Sequence, residues 1–164
     1  MILVVDSSAL ITLARIDQLH ILPQLAEEVH IPDAVYQEVV VHGHGRPGSA
    51  AVRKAEWIMR HHVTDQAAVD RMRTQLGRGE AEAIVLAQEL NADVLILDDA
   101  TARKAATGMG QRIIGLLGLL VFAKECRVVE TIRPLMDNLL AAGFFVEPLL
   151  YRTVLRAAGE EPPE

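Results

Sequence analysis

The chain has one cysteine, Cys126, in 164 residues, which excludes an internal disulfide and a Cys/His zinc framework and fits a reducing, cytoplasmic compartment. Long hydrophobic runs are missing too. The longest, Ile113 to Ala123, contains two glycines and falls short of the ~20 apolar residues that a membrane helix requires. The N-terminal apolar run, Ile2 to Val5, has neither a basic segment before it nor a cleavage site after it, as a signal peptide would. Positive charge is in deficit: 16 Lys and Arg against 22 Asp and Glu give a formal net charge of -6. That sign disfavours a protein that binds nucleic acid mainly by neutralising phosphates, unless the acids gather round a cation. Phosphate-loop and dinucleotide glycine motifs, internal repeats and low-complexity linkers are likewise absent.

What is present suits one compact domain. Hydrophobic residues make up 51% of the chain, enough to bury a substantial core, with residues 1–158 as the domain and 159–164 as a frayed acidic tail. Strand and helix signals alternate: a buried strand Ile2 to Val5, a helix to about Arg15 capped by Ser7 or Ser8, and a helix DAVYQEVVVH opened by Pro32 and Asp33. Gly43 to Gly48 ends that helix. Helices at residues 49–60 and 65–75 flank a short strand at 62–64; a helix at 79–90, a strand at 93–97, a helix at 101–107 and a strand at 112–114 follow. Helices fill the rest, ending in a hairpin over 138–158 turned at Ala142 and Gly143. Such alternation predicts an α/β fold, a short and mostly parallel sheet flanked by helices.

Two strands run into acids, ILVVDSSAL with Asp6 and DVLILDDATAR with Asp98 and Asp99. Parallel strands deliver their last residues to one edge, so these acids can meet in one crevice, where close carboxylates hold a hard divalent cation. The helix opening RGEAEAIVLAQEL brings its first turn to the same edge. At about 100° per residue Ala83, Leu86, Ala87 and Leu90 form its buried face, with Glu80 and Glu82 on opposite flanks. Either glutamate alone is also what a helix dipole favours. Of Asp98 and Asp99, one can ligate while the other caps the next helix. Arg103 can pair with Asp99 along that helix or face a phosphate. His42, His44, His61 and His62 lack a familiar ligand spacing and read as ordinary histidines.

The ordered set VVDSSALITLARI, IPDAVYQEVV, GRGEAEAIVLA, LILDDATAR and GQRIIGLLGLLVFAK resembles the PIN-domain nucleases, which include VapC-type toxins. GEAEAI and LDDATAR are similar to a branch of small stand-alone PIN-like proteins. The resemblance spans Met1 to about Gly159. It implies an α/β/α sandwich whose acids bind Mg2+ or Mn2+ so that an activated water attacks phosphorus, usually in RNA, making the chain a metal-dependent endoribonuclease. By position Asp6 matches the first acid and Glu38 the second. For the third, Glu80 fits the branch and Glu82 the general register; for the fourth, Asp99 aligns best, with Asp98 beside it. The implied metal ligands are Asp6, Asp98 and Asp99, with Ser8 and Arg103 as substrate contacts. Leu116 stands where similar proteins often have a threonine, so one polar contact is lost.

The expected partners are RNA, a small antitoxin if the chain is a toxin, and a second copy, because the helices at 35–41 and 116–121 carry more apolar residues than a small domain readily buries. Two alternatives compete: a catalytically silent PIN-like interaction module, and a magnesium-dependent receiver-like phosphotransfer domain. The latter needs a lone phosphoacceptor Asp on a middle strand and a late strand-end lysine, neither of which is evident.

Overall fold

The computed structural model describes residues 1–162 and Glu164. Strand β1 (Ile2–Val5) leads into helix α1 (Ser7–Arg15), and helix α2 (Ile21–Leu25) into strand β2 (Glu28–Pro32). Helix α3 (Asp33–Tyr36) runs on as a π turn, Gln37–Val41, followed by α4 (Ser49–Lys54) and β3 (Ile58–His61). Then come α5 (Gln66–Met72), α6 (Arg78–Glu89), β4 (Val94–Ile96), α7 (Ala100–Gly108) and β5 (Ile113–Ile114). Helices α8 (Leu116–Glu125), α9 (Arg133–Ala141) and α10 (Pro148–Ala157) close the chain.

The sheet is wholly parallel, in the order β3-β2-β1-β4-β5. Chain progression reverses direction between β1 and β4. At such a switch point the loops leaving the two strands diverge to opposite faces and open a crevice beyond their carboxyl ends. Alternate strand residues feed two cores: Leu3, Val5, Val29, Ile31 and Ile96 on one side with α1, α8, α9 and α10, and Val4, Leu95 and Leu97 on the other with α5, α6 and α7. Both faces are covered, which is why the strands read as unbroken apolar runs.

The expected α/β fold is present, with local differences. Strand β2 was hidden in the sequence by Glu28, His30 and Pro32; its register with β1 runs only to His30, so the N–H that Pro32 lacks is not missed there. The strand expected at 62–64 lies at Ile58–His61, and the helix before it stops at Lys54, because β2 pairs Val29 through Pro32 with Ile58 through His61. Helix α6 has more than one buried face: Ala81 through Ala87 are all buried, since the helix lies on the sheet and is covered by α3, α5 and α7. Ser7 and Ser8 do not cap α1; Asp6 does, accepting from Ser7 N at 2.6 Å.

The expected tail is held at its start. Glu160 accepts from Lys124 Nζ and from the backbone N–H groups of Ile132 and Arg133. Pro163, part of that expected tail, lies outside the described residues. The apolar segments that motivated a dimer are largely buried within the chain, Val35, Val39, Val40, Leu116, Leu119 and Leu120 among them. Exposed apolar surface instead gathers where α9 turns into α10, at Leu140, Phe145, Leu149 and Leu150. Among the described residues no helix is long and apolar enough to cross a membrane.

Candidate metal centre

Asp6 is the first residue after β1 and is only 4% exposed, with its backbone N–H bonded to Ile96 O of β4. It therefore sits at the mouth of the β1–β4 crevice. Burial, opposed by the hydrogen bond from Ser7 N and reinforced by the charges of Glu80, Glu38 and Asp98, raises its pKa to about 7. These are acids from four separate segments.

Each neighbour arrives by a different device. Glu38 lies in the π turn, closed by His42 N bonding Gln37 O at 2.7 Å; this wider turn replaces the uninterrupted helix expected there and is a feature frequent at functional sites. Its Oε2 accepts from Ser7 Oγ at 2.6 Å. Glu80 stands in the first turn of α6, where its carboxylate also accepts from Gly77 N at 3.1 Å. Asp98 leaves β4 with Oδ1 accepting from Leu116 N at 2.9 Å, while its buried Oδ2 has no partner. Burial pushes the Asp98 pKa up, and the Leu116 N–H and the Arg103 charge oppose the rise.

Two glycines make room for this gathering. A Cβ on Gly79 would stand 2.5 Å from Glu38 Oε1, and one on Gly115 would stand 2.8 Å from Asp98 Oδ1 and 3.1 Å from Arg103 Nη1. Leu116, where a threonine was expected, buries its side chain completely and supplies the polar contact to Asp98 through its backbone instead.

Of the remaining sequence candidates, all but Arg103 lie elsewhere. Asp99 is exposed and caps α7, Oδ1 accepting from Ala102 N at 2.8 Å, and it is not among the charges that perturb Asp6. Glu82 is 3% exposed and bridges Ala34 N at 2.8 Å to Arg78 Nε at 3.1 Å. Ser8 is exposed, and its buried neighbour Ser7 makes the contact with Glu38. Arg103 is beside Asp98, with its guanidinium against Gly115. Sequence reasoning missed Arg78, Gly79 and Gly115 as site-shaping residues. GRGE itself was a signal, because two glycines beside a helix start suggest close approach.

As the side chains stand, no three His, Cys, Asp or Glu residues among those described close round a metal position. The donor set nonetheless fits a hard divalent cation. An orphaned carboxylate oxygen on Asp98 and a buried Asp6 crowded by three acids are both groups that a cation would satisfy, and the donors are all oxygen. Asp6 and Asp98 would be the inner ligands, with Glu38 and Glu80 directly or through water.

A parallel α/β sandwich with an acid-lined switch-point crevice defines a class of protein with a strand-end site suited to a divalent cation. The chain belongs to the PIN-domain family: a family model described as PIN domain matches residues 2–160. Members of this family are typically metal-dependent nucleases. Among solved structures the chain is similar to a PilT N-terminus domain protein from the hyperthermophilic archaeon Sulfolobus solfataricus P2. The two are 23% identical with a TM-score of 0.53, and the match covers 75% of this chain and 93% of that one. This likeness speaks for the fold alone. Curated proteins offer no significant match.

Proposed function

We propose that this chain is a divalent-metal-dependent endoribonuclease. The observation that carries the reading is the meeting of Glu38, Glu80 and Asp98 around buried Asp6, with one Asp98 oxygen left unpartnered. Like charges around a buried carboxylate disfavour its ionised form, and a divalent cation would relieve this. When bound, a divalent ion there would lower the pKa of a water, neutralise phosphate oxygens and stabilise the leaving oxygen.

The protein's own residues do the rest. Ser7 Oγ fixes Glu38, and the Gly77 N–H orients Glu80, so both carboxylates can receive protons from water at the crevice. Leu116 N holds Asp98 through Oδ1, leaving the buried Oδ2 unpartnered and available to a cation. Arg103, beside Asp98, offers a cation to a non-bridging phosphate oxygen. No side chain is needed as a covalent nucleophile.

The purified chain with Mn2+ or Mg2+ should cleave single-stranded RNA and be silenced by EDTA, whereas Asp6→Asn should fold and fail to cleave. Undiminished cleavage by that variant would overturn the assignment. The finer reading is a toxin with a small protein antitoxin, supported by the family likeness and by the exposed Phe145, Leu149 and Leu150 that a partner would cover. Expressing the chain alone should then arrest growth, and the Asp6→Asn chain should not.

A further inference from the structure

Next to the acid cluster lies a cavity of about 530 Å3 between the N-terminal turn of α6 and the α3–π-turn segment. Glu38 belongs to both, forming one wall of the cavity while bonding Ser7 on the side of Asp6. Gln37, His42, His62 and Arg78 also line it, together with the carboxylates of Asp33 and Glu82. Arg78 is placed with care for a side chain that is 56% exposed: its Nε donates to Glu82 Oε1, while Glu82 Oε2 accepts from Ala34 N at the bottom of the cavity. That bond uses only Nε, leaving two Nη groups for a ligand.

Glu82 thus has a task that its general PIN register would not suggest. A carboxylate 3% exposed is held by one backbone N–H and one guanidinium, and charge-assisted bonds of this sort fix direction as well as position. His62 is anchored similarly, since Asp33 accepts from both its Nδ1 and Arg60 Nε. Although burial works against it, these two bonds hold the Asp33 carboxyl below its ordinary pKa, so it remains a fixed anion orienting the Arg60 guanidinium and the His62 ring. On the far side of Glu38 a second cavity of about 370 Å3 is lined by Arg15 and Arg46. A polyanion crossing Glu38 meets cations on both sides.

We propose that the Arg78 cavity is a nucleotide subsite: it takes the residue of single-stranded RNA flanking the scissile phosphate. Arg78 binds that nucleotide's phosphate, and Gln37, His42 and His62 contact its base. Glu82 is a positioning residue that aims Arg78. This rests on the ribonuclease reading and adds to it where the strand lies and which residues grip it. An unstacked base offers a polar edge to an amide and a π face to imidazole, and both are supplied here.

The test separates binding from cleavage. In the Asp6→Asn background with EDTA, a fluorescein-labelled single-stranded RNA of mixed sequence is titrated by anisotropy at several salt concentrations. Arg78→Ala should weaken binding roughly 10-fold or more, the effect of one charge-assisted contact. It should also reduce the slope of log K against log salt by about 0.7, the value for one phosphate contact on a single strand. Arg53→Ala, on the exposed end of α4, should change neither. Glu82→Gln, which can still accept from Ala34 N, should weaken binding less than Arg78→Ala while keeping most of the slope. In the active enzyme Arg78→Ala should raise KM more than it lowers kcat, and Gln37→Ala should alter the sequence profile of cleavage sites. RNA binding with an unchanged affinity and salt slope in Arg78→Ala would overturn the subsite and leave the nuclease reading standing. Failure of the parent protein both to bind and to cleave RNA would overturn the two together.

Discussion

The two junctions that bring acids to the crevice solve the same problem differently. After β1 a single residue, Asp6, both caps α1 and forms the centre of the cluster. After β4 the tasks are divided: Asp98 turns inward, bonded to Leu116 N with one oxygen free, and Asp99 turns outward to cap α7. Successive residues leaving a strand point in different directions, so a second acid allows cap and ligand to be separated. The lone acid has no such freedom and does both tasks at once, while burial raises the pKa of the inward acid at either junction, Asp6 and Asp98.

Substitution at the two junctions should therefore have unequal effects. Asp6→Asn removes the central ligand and should lower kcat on the order of a thousandfold, read by single-turnover cleavage of RNA. Asp98→Asn should cost on the order of a hundredfold, because Glu38, Glu80 and Asp6 remain. Asp99→Asn should be nearly silent, as asparagine caps as well as aspartate. Asp99→Ala should lose about 1 kcal/mol of stability in urea while keeping its activity within about threefold. A large activity loss in Asp99→Asn would reverse the division of labour argued for the second junction.

Glycine sharpens the comparison. Gly79→Ala would press a methyl group against Glu38 Oε1, the movable end of a flexible side chain. The fold should survive, helped by alanine's better helix propensity, while Glu38 is displaced and activity falls roughly tenfold. Circular dichroism together with cleavage rate checks both parts.

The raised pKa of Asp6 makes a stability prediction with a definite sign. Between the unfolded value of 3.8 and the folded value of about 7 the metal-free native state holds an extra proton. Stability from this group therefore declines as pH rises through that window and levels off above it. At pH 8 without metal, Asp6→Asn should be more stable than the parent by roughly 1 to 3 kcal/mol, and the difference should vanish towards pH 4. Mn2+ should stabilise the parent at pH 8 and barely affect the variant. The smallest effect expected is on association: Phe145→Ser with Leu149→Ser should turn any dimer seen by light scattering into monomer, with the Asp6 cluster and cleavage undisturbed.

Much of this was legible in the chain. Apolar runs ending in Asp6 and Asp98 gave the parallel strands and their shared edge, and GRGEAEAIVLA gave α6. What could not be read was direction. Whether Asp98 or Asp99 turns inward depends on the bond that Leu116, 18 residues later, makes to Asp98. Glu80 and Glu82 were indistinguishable without knowing that Ala34 N and Arg78 would claim Glu82. Strand β2 was missed because its face carries Glu28 and His30, which bond each other and, through His30, His61 on β3. Those polar pairings are made across the fold and leave no local pattern.

Anomalous scattering from crystals soaked in Mn2+ tests the convergence of acids most directly. A peak within bonding distance of Asp6 and Asp98, with Glu38 and Glu80 in its first or second sphere, is the predicted result. Manganese ligated by Asp99 or Glu82 in place of Asp6, or no manganese anywhere in the β1–β4 crevice, would contradict it.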